Sequence, residues 1–178
     1  MIKRVMALLT ALLLCAAVPA LAEDAFSFRG GVHWDASPDD VALAEGGISD
    51  YLYEMGDVFA FGYEGISVSR YTAYLAYAFL QGKLQVIGYQ IRGGEEDIAY
   101  LTTALRKVYG EETEADLDYL ADTLTNLMNQ RYTARQFGSA RAWEAGDGTR
   151  IYLAAEEDAV SIYYLNPSLS VGYNVVGL

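Results

Sequence analysis

Residues 71–91 read YTAYLAYAFLQGKLQVIGYQI, and the way this stretch folds decides the architecture of the chain. Tyr71 to Leu80 and Lys83 to Ile91 are two apolar, aromatic-rich runs around Gln81-Gly82. A two-residue connection with a glycine free to take positive φ is how two antiparallel strands join tightly. The segment therefore predicts a hairpin, and its neighbours continue the pattern. From Val58 the period is two, with Phe59, Phe61 and Tyr63 alternating with Val58, Ala60 and Gly62, and Ile66-Ser-Val-Ser-Arg-Tyr extending it. Further on, Asp147-Gly148 joins Arg141-Ala-Trp-Glu to Thr149-Arg-Ile-Tyr-Leu. Glu156-Glu157-Asp158 then turns into Val160-Ser-Ile-Tyr-Tyr-Leu, which Asn166-Pro167 ends.

Between these strand-rich halves the period changes to that of a helix. Ile98, Leu101, Leu105 and Val108 follow Glu95-Glu96-Asp97 and precede Arg106-Lys107 and Gly110, the charge order and stop signal of a helix over 95–109. Leu117, Leu120, Leu124, Leu127 and Met128 repeat the stripe over 114–130, with Thr113 as candidate N-cap and Asp116 as its box partner. The expected fold is α+β, an antiparallel sheet of about five or more strands with both helices on one face. A faint echo links its two halves: Leu84-Gln-Val-Ile-Gly-Tyr and Val160-Ser-Ile-Tyr-Tyr end in Tyr89 and Tyr164, 75 residues apart.

The N-terminus reads as an address. Met1-Ile-Lys-Arg, an apolar run from Val5 to Ala17, and Pro19-Ala20-Leu21-Ala22 make a signal peptide over 1–22, too short to span a bilayer as an anchor. Cleavage would leave 156 residues, 23–178, a natural length for one domain in a secreted or periplasmic setting. The sole cysteine, Cys15, falls inside the apolar run, so the mature domain is expected to have no disulfide. Reading Cys15 as a lipidated first residue is the alternative, and Leu14 before it is larger than that processing prefers.

Charge and residue inventory then exclude chemistries. Of 12 basic and 24 acidic residues, Lys3 and Arg4 leave with the signal, so the mature chain carries 10 against 24, a net −14. Nucleic acid and anionic surfaces need clustered Lys and Arg, and are poor partners for such a chain. One histidine and no mature cysteine cannot build a His/Cys zinc site or a cysteine nucleophile, and no phosphate loop or dinucleotide fingerprint is present. No cofactor is expected. Glu156-Glu157-Asp158 lacks the twelve-residue calcium loop and reads as solvated turn charge.

The histidine stands in Gly30-Gly-Val-His-Trp-Asp-Ala-Ser-Pro-Asp-Asp-Val41. Carboxylates Asp35, Asp39 and Asp40 beside His33 are nominal parts of a secreted hydrolase. The same residues also spell a helix start: Ser37 at N-cap, Pro38 at the first position, Asp39 and Asp40 in the first turn, and Gly46-Gly47 as the stop. That second reading gives two of the aspartates a structural job and places His33 and Trp34 on a strand from Phe26 to Trp34 that packs on the helix.

The positive signal is aromatic. Fifteen tyrosines, many at alternating strand positions such as Tyr71, Tyr77, Tyr89, Tyr152 and Tyr164, are suited to an interface, where they supply rigid area with a polar tip. The candidate binding residues are Phe59, Phe61, Tyr63, Tyr74 and Tyr89.

The opening Gly31-Val-His-Trp-Asp-Ala-Ser-Pro-Asp-Asp-Val41 resembles that of small exported domains related to β-lactamase inhibitor proteins, and that of the small lipoprotein of the outer-membrane barrel assembly machinery. The resemblance covers some twenty residues and implies helices against an antiparallel sheet and binding of proteins without turnover. No binding residue is carried over from it. The function expected is an exported binding or cell-envelope interaction module without catalytic activity, whose partner is another protein or an envelope component; its oligomeric state stays open.

Overall fold

The computed structural model describes residues 28–128 and 130–169. The expected signal peptide over 1–22, Cys15 within it, and the start of the strand expected from Phe26 lie outside the described residues. In chain order come a 3-10 turn (Arg29–Gly31), α1 (Pro38–Glu45), β1 (Tyr51–Met55), β2 (Val58–Val68), β3 (Tyr71–Leu80) and β4 (Lys83–Arg92). There follow α2 (Glu95–Tyr109), α3 (Leu117–Leu127), a second 3-10 turn (Ala134–Gln136), β5 (Ala140–Glu144), β6 (Arg150–Ala155) and β7 (Ala159–Leu165).

At the hairpin that decides the fold, Gln81 and Gly82 both take positive φ, 52° and 73°. Such a turn matches the right-handed twist of its strands, so β3 and β4 pair directly across it. The seven strands form one antiparallel sheet in the order β1-β2-β3-β4-β7-β6-β5. Two meanders thus meet where β4 pairs β7. There Ile87 lies opposite Tyr164 and Tyr89 opposite Ile162, so the two tyrosines of the 75-residue echo flank one junction.

Side chains alternate across each strand, which gives the sheet two faces. One carries Phe61, Tyr63, Leu75, Tyr77, Phe79, Leu84 and Ile87 against Phe28, Val32 and Val41 of the N-terminal turn and α1. On the same face Trp143, Ile151, Leu153 and Val160 receive Leu101 and Leu105 of α2. The opposite face carries Val58, Ala60, Ala78, Val86, Tyr152 and Ala154 against Leu120, Leu124 and Leu127 of α3. Burying each of these larger aliphatic or aromatic side chains is worth about 1.5–3 kcal/mol. The α+β class and the antiparallel sheet are as expected, but the helices expected on one face are divided between both. The strands are apolar on both sides, so each face needs its own cover.

Local chemistry fixes the ends. Ser37 Oγ accepts from Asp40 N at 3.2 Å while Asp40 accepts from Ser37 N at 3.0 Å, a capping box, and Gly46 ends α1 at φ +85°. In the described part, 28–34, the strand expected from Phe26 to Trp34 is instead a 3-10 turn followed by a second turn, because Gly30 and Gly31 sit at φ +68° and +78°. Trp34, expected to pack a strand on the helix, instead lies edge-on to Phe28 at 4.8 Å, with its indole N–H donating to Thr149 at 2.7 Å. The third helix starts at Leu117 with Asp116 as cap, not Thr113, because Thr113 N donates to Ala142 O at 2.7 Å beside β5.

Candidate functional site

The five aromatic residues singled out in the sequence do not form one surface. Phe61 and Tyr63 are buried, and Phe59 and Tyr89 half-buried, all in the cluster beneath the N-terminal turn and α1. Phe61 stacks on Phe79 at 5.4 Å and meets Phe59 and Tyr63 edge-on, so these rings serve as core. Tyr74 belongs to the other face, where Val58, Ala60 and Ala78 also point. Alternation identified strands correctly, yet it carries no information on which face a helix covers.

Under α1 the sequence reading missed a polar cluster. The side chain of Glu45 is 1% exposed, accepting from Arg29 Nε at 2.9 Å and from the Tyr77 hydroxyl at 2.7 Å. Burial, then the hydrogen bond to Glu45 and its charge, raises the Tyr77 phenol far above its ordinary range, and burial with the Glu45 charge pushes Tyr89 up to about 12, so both stay neutral. Its geometry is that of a fastener: one carboxylate ties the N-terminal turn to the helix and the helix to the sheet.

The segment proposed for hydrolysis folds as a helix entrance. His33, Asp35 and Asp40 border a shallow cleft of about 270 Å³, and His33 is exposed. Asp40 Oδ2 accepts from both Ser37 Oγ, at 2.7 Å, and Ser37 N, which holds its carboxyl below the ordinary range. Those two bonds from Ser37 occupy Asp40 as the cap of α1.

The open edge of the sheet presents a different surface. β1 pairs only β2, and its outer side meets no other described strand. Met55-Gly56-Asp57-Val58 is a two-residue turn, so Met55 and Val58 form its closing hydrogen-bonded pair, and alternation turns the N–H and C=O of Leu52 and Glu54 outward. Seven large hydrophobic residues are strongly exposed among the described residues, and five of them, Leu43, Ile48, Tyr51, Leu52 and Met55, fall within 43–55. Ile48 is 98% exposed, Leu52 62% and Met55 47%. Charge adds to the pattern: from Gly30 to Ser69 the chain has no Lys or Arg but eight carboxylates, Asp50, Glu54 and Asp57 among them.

No protein-family model matches the chain, and neither the curated proteins nor the solved structures contain a significant match to it.

Proposed function

We propose that this chain is an exported, non-catalytic binding module that takes up an extended polypeptide segment along β1. The observation that carries this reading is the gathering of exposed apolar side chains at an unpaired strand edge. Single exposed hydrophobics are ordinary, whereas a clustered patch marks an interaction site. An open edge offers backbone groups in register, so an added strand gains affinity from main-chain hydrogen bonds and selectivity from side chains on alternate faces. Leu52 on one face and Tyr51 and Met55 on the other supply apolar contacts. Asp50, Glu54 and Asp57 in and beside β1 favour a segment bearing Lys or Arg, and the acidic net charge opposes a second copy of this chain. The export signal and the resemblance to small exported binding domains are consistent with an envelope or extracellular partner.

The test uses two synthetic probes, an alternating Lys-Val heptapeptide and its Glu-Val counterpart. The basic peptide is expected to slow amide hydrogen exchange at Leu52 and Glu54, less so in high salt, while the acidic one leaves both unprotected. Leu52→Pro removes the outward N–H at a position where an edge strand accepts proline, and should abolish the protection without unfolding the sheet. Equal binding of both peptides, or protection elsewhere in the molecule, would overturn the proposal.

A further inference from the structure

Among the described residues, α3 covers only part of its face of the sheet, and tyrosine rings line the rest. An eleven-residue helix is about 16 Å long, whereas the ten-residue strands beneath run about 33 Å. Beyond Met128, where α3 is capped, a cleft of about 290 Å³ lies on the sheet between Tyr51, Tyr74, Tyr132 and Tyr163. Through Tyr74 and Gln90 it continues into an open hollow of about 790 Å³, and through Gln130 and Tyr132 into another of about 550 Å³.

Register explains the trough. Tyr51, Gly62, Ala76, Gly88 and Tyr163 lie opposite one another in turn across five adjacent strands. Three small buried residues make a low floor between two tyrosines four strand spacings apart, about 19 Å, of which Tyr163 is buried and Tyr51 exposed. Two rings lie down on that floor: a Cβ at Gly62 would overlap the Tyr74 hydroxyl, and one at Gly88 would come within 3.2 Å of the Tyr163 ring. Planar polar groups stand at the wall. Glu156 accepts from the Tyr163 hydroxyl at 2.9 Å and from Gln90 Nε2 at 3.2 Å, so carboxylate and carboxamide are held in place. Burial pushes Tyr132 up to about 12 and Tyr163 well above its ordinary range, which keeps both hydroxyls protonated.

From this arrangement we infer that the trough is a binding site for a short neutral oligosaccharide chain. Sugar rings offer apolar C–H faces that settle on tyrosine rings and hydroxyl edges that pair with carboxylate, carboxamide and phenol groups. The floor strands β2, β3, β4 and β7 are interior and have spent their backbone groups on one another, so the ligand is read by side chains alone. A polypeptide strand has no ladder to join here, unlike at β1. A proline-rich segment also docks on aromatic grooves, but proline has no N–H or hydroxyl to offer the remaining acceptor capacity of Glu156 and Gln90. The acidic net charge selects against anionic polysaccharides.

The inference shares Tyr51 with strand addition at β1 but does not depend on it, and is tested by titrating the folded domain with cellotetraose, chitotetraose and maltotetraose, with tetragalacturonate and decaproline as contrasts. At least one neutral tetrasaccharide should bind and shift the resonances of Tyr74, Gln90 and Tyr132. Tyr74→Ala should weaken it at least tenfold and Tyr51→Ala several-fold, while Tyr51→Phe and Tyr74→Phe, which keep the rings, retain most of the affinity, and Leu52→Pro has no effect. Tyr51 is strongly exposed, so its alanine variant leaves the fold intact even if Tyr74→Ala does not. Failure of all three neutral sugars to bind, preference for tetragalacturonate or decaproline, or equal binding by Tyr51→Ala and Tyr51→Phe would overturn it.

Discussion

The two edge strands of this sheet, β1 and β5, have the same length and opposite fates. At β5, Trp143 is 1% exposed, packed with Leu101 and Leu105, and its indole donates to Gly110 O at 3.2 Å. The chain leaving α2 at Gly110 then runs along the outer side of β5, where Thr113 bridges Ala142. Glu112 accepts from Arg106 Nη2 at 2.8 and 2.9 Å and from Arg141 at 3.2 Å, fastening that connection to the strand. At β1 no comparable cover exists among the described residues, and Leu52 is 62% exposed. Unpaired edges invite association, and proteins commonly blunt them. That one edge is closed by three kinds of contact while the other keeps apolar side chains in water indicates where the molecule leaves room for something else.

The contrast is broken most forcefully at Trp143. Trp143→Ala removes the largest fully buried side chain and should cost about 3–5 kcal/mol in urea unfolding, whereas Leu52→Ala, on an exposed side chain, should stay within about 0.5 kcal/mol. If the two variants unfold at similar denaturant concentrations, β1 is packed in solution and the edges do not differ in kind.

How much of this was legible beforehand depended on the range of the interaction. Turn and cap chemistry is local, so Gln81-Gly82, the Ser37 cap and the stop at Gly46 could be read from adjacent residues. The window 95–109 matched α2 to the residue, because its charges, stripe and terminal glycine agree. Thr113 was misassigned as a cap because its backbone is claimed by Ala142, 29 positions away. The strand expected through Gly30-Gly31 failed because two positive-φ residues outweigh an apolar pattern. The site was harder still. Aromatic alternation at Phe59, Phe61 and Tyr63 marks a strand equally well whether α1 covers it or water does. β1 has only five residues and no clean period, so the exposed Leu52 and Met55 carried no signal. The trough depends on Gly62, Ala76 and Gly88 falling in register across three strands, a coincidence that no single stretch of sequence displays.

A smaller perturbation sharpens the comparison by opening the closed edge. Thr113→Pro deletes the N–H that Ala142 O receives, leaving a buried carbonyl unsatisfied at a cost of about 1–3 kcal/mol. The variant should also associate through β5, seen as a concentration-dependent rise in mass by light scattering. A variant that is destabilised yet remains at its original mass would mean that the ion pairs, not the bridge, keep that edge shut.

The least effect is expected from acid, and its sign follows from Glu112. Its hydrogen bond with Arg106, then the charges of Arg106 and Arg141, lower its carboxyl below the ordinary 4.5. A depressed folded value means that the stabilisation is complete above the ordinary value and is lost as pH falls through the lowered one. Asp97 at the other end of α2 is lowered as well, first by the Gly94 N–H and then by the Tyr71 hydroxyl and Arg70, so acid loosens both attachments of this helix. The carboxylates are half-buried but their arginine partners are exposed and the pairs screened, so the effect is local loosening rather than unfolding. Exchange of the Thr113 amide, corrected for its intrinsic pH dependence, should therefore accelerate as pH drops below about 4.5 in the native chain. In Glu112→Gln the Thr113 amide should already be less protected near neutrality and should change little with acid. The Gly94 amide reports Asp97 alone and should behave identically in both proteins. If Thr113 shows the same acid response with and without the carboxylate, the ion pairs contribute nothing to closing β5, and the asymmetry between the edges rests on Trp143 and the Thr113 bridge.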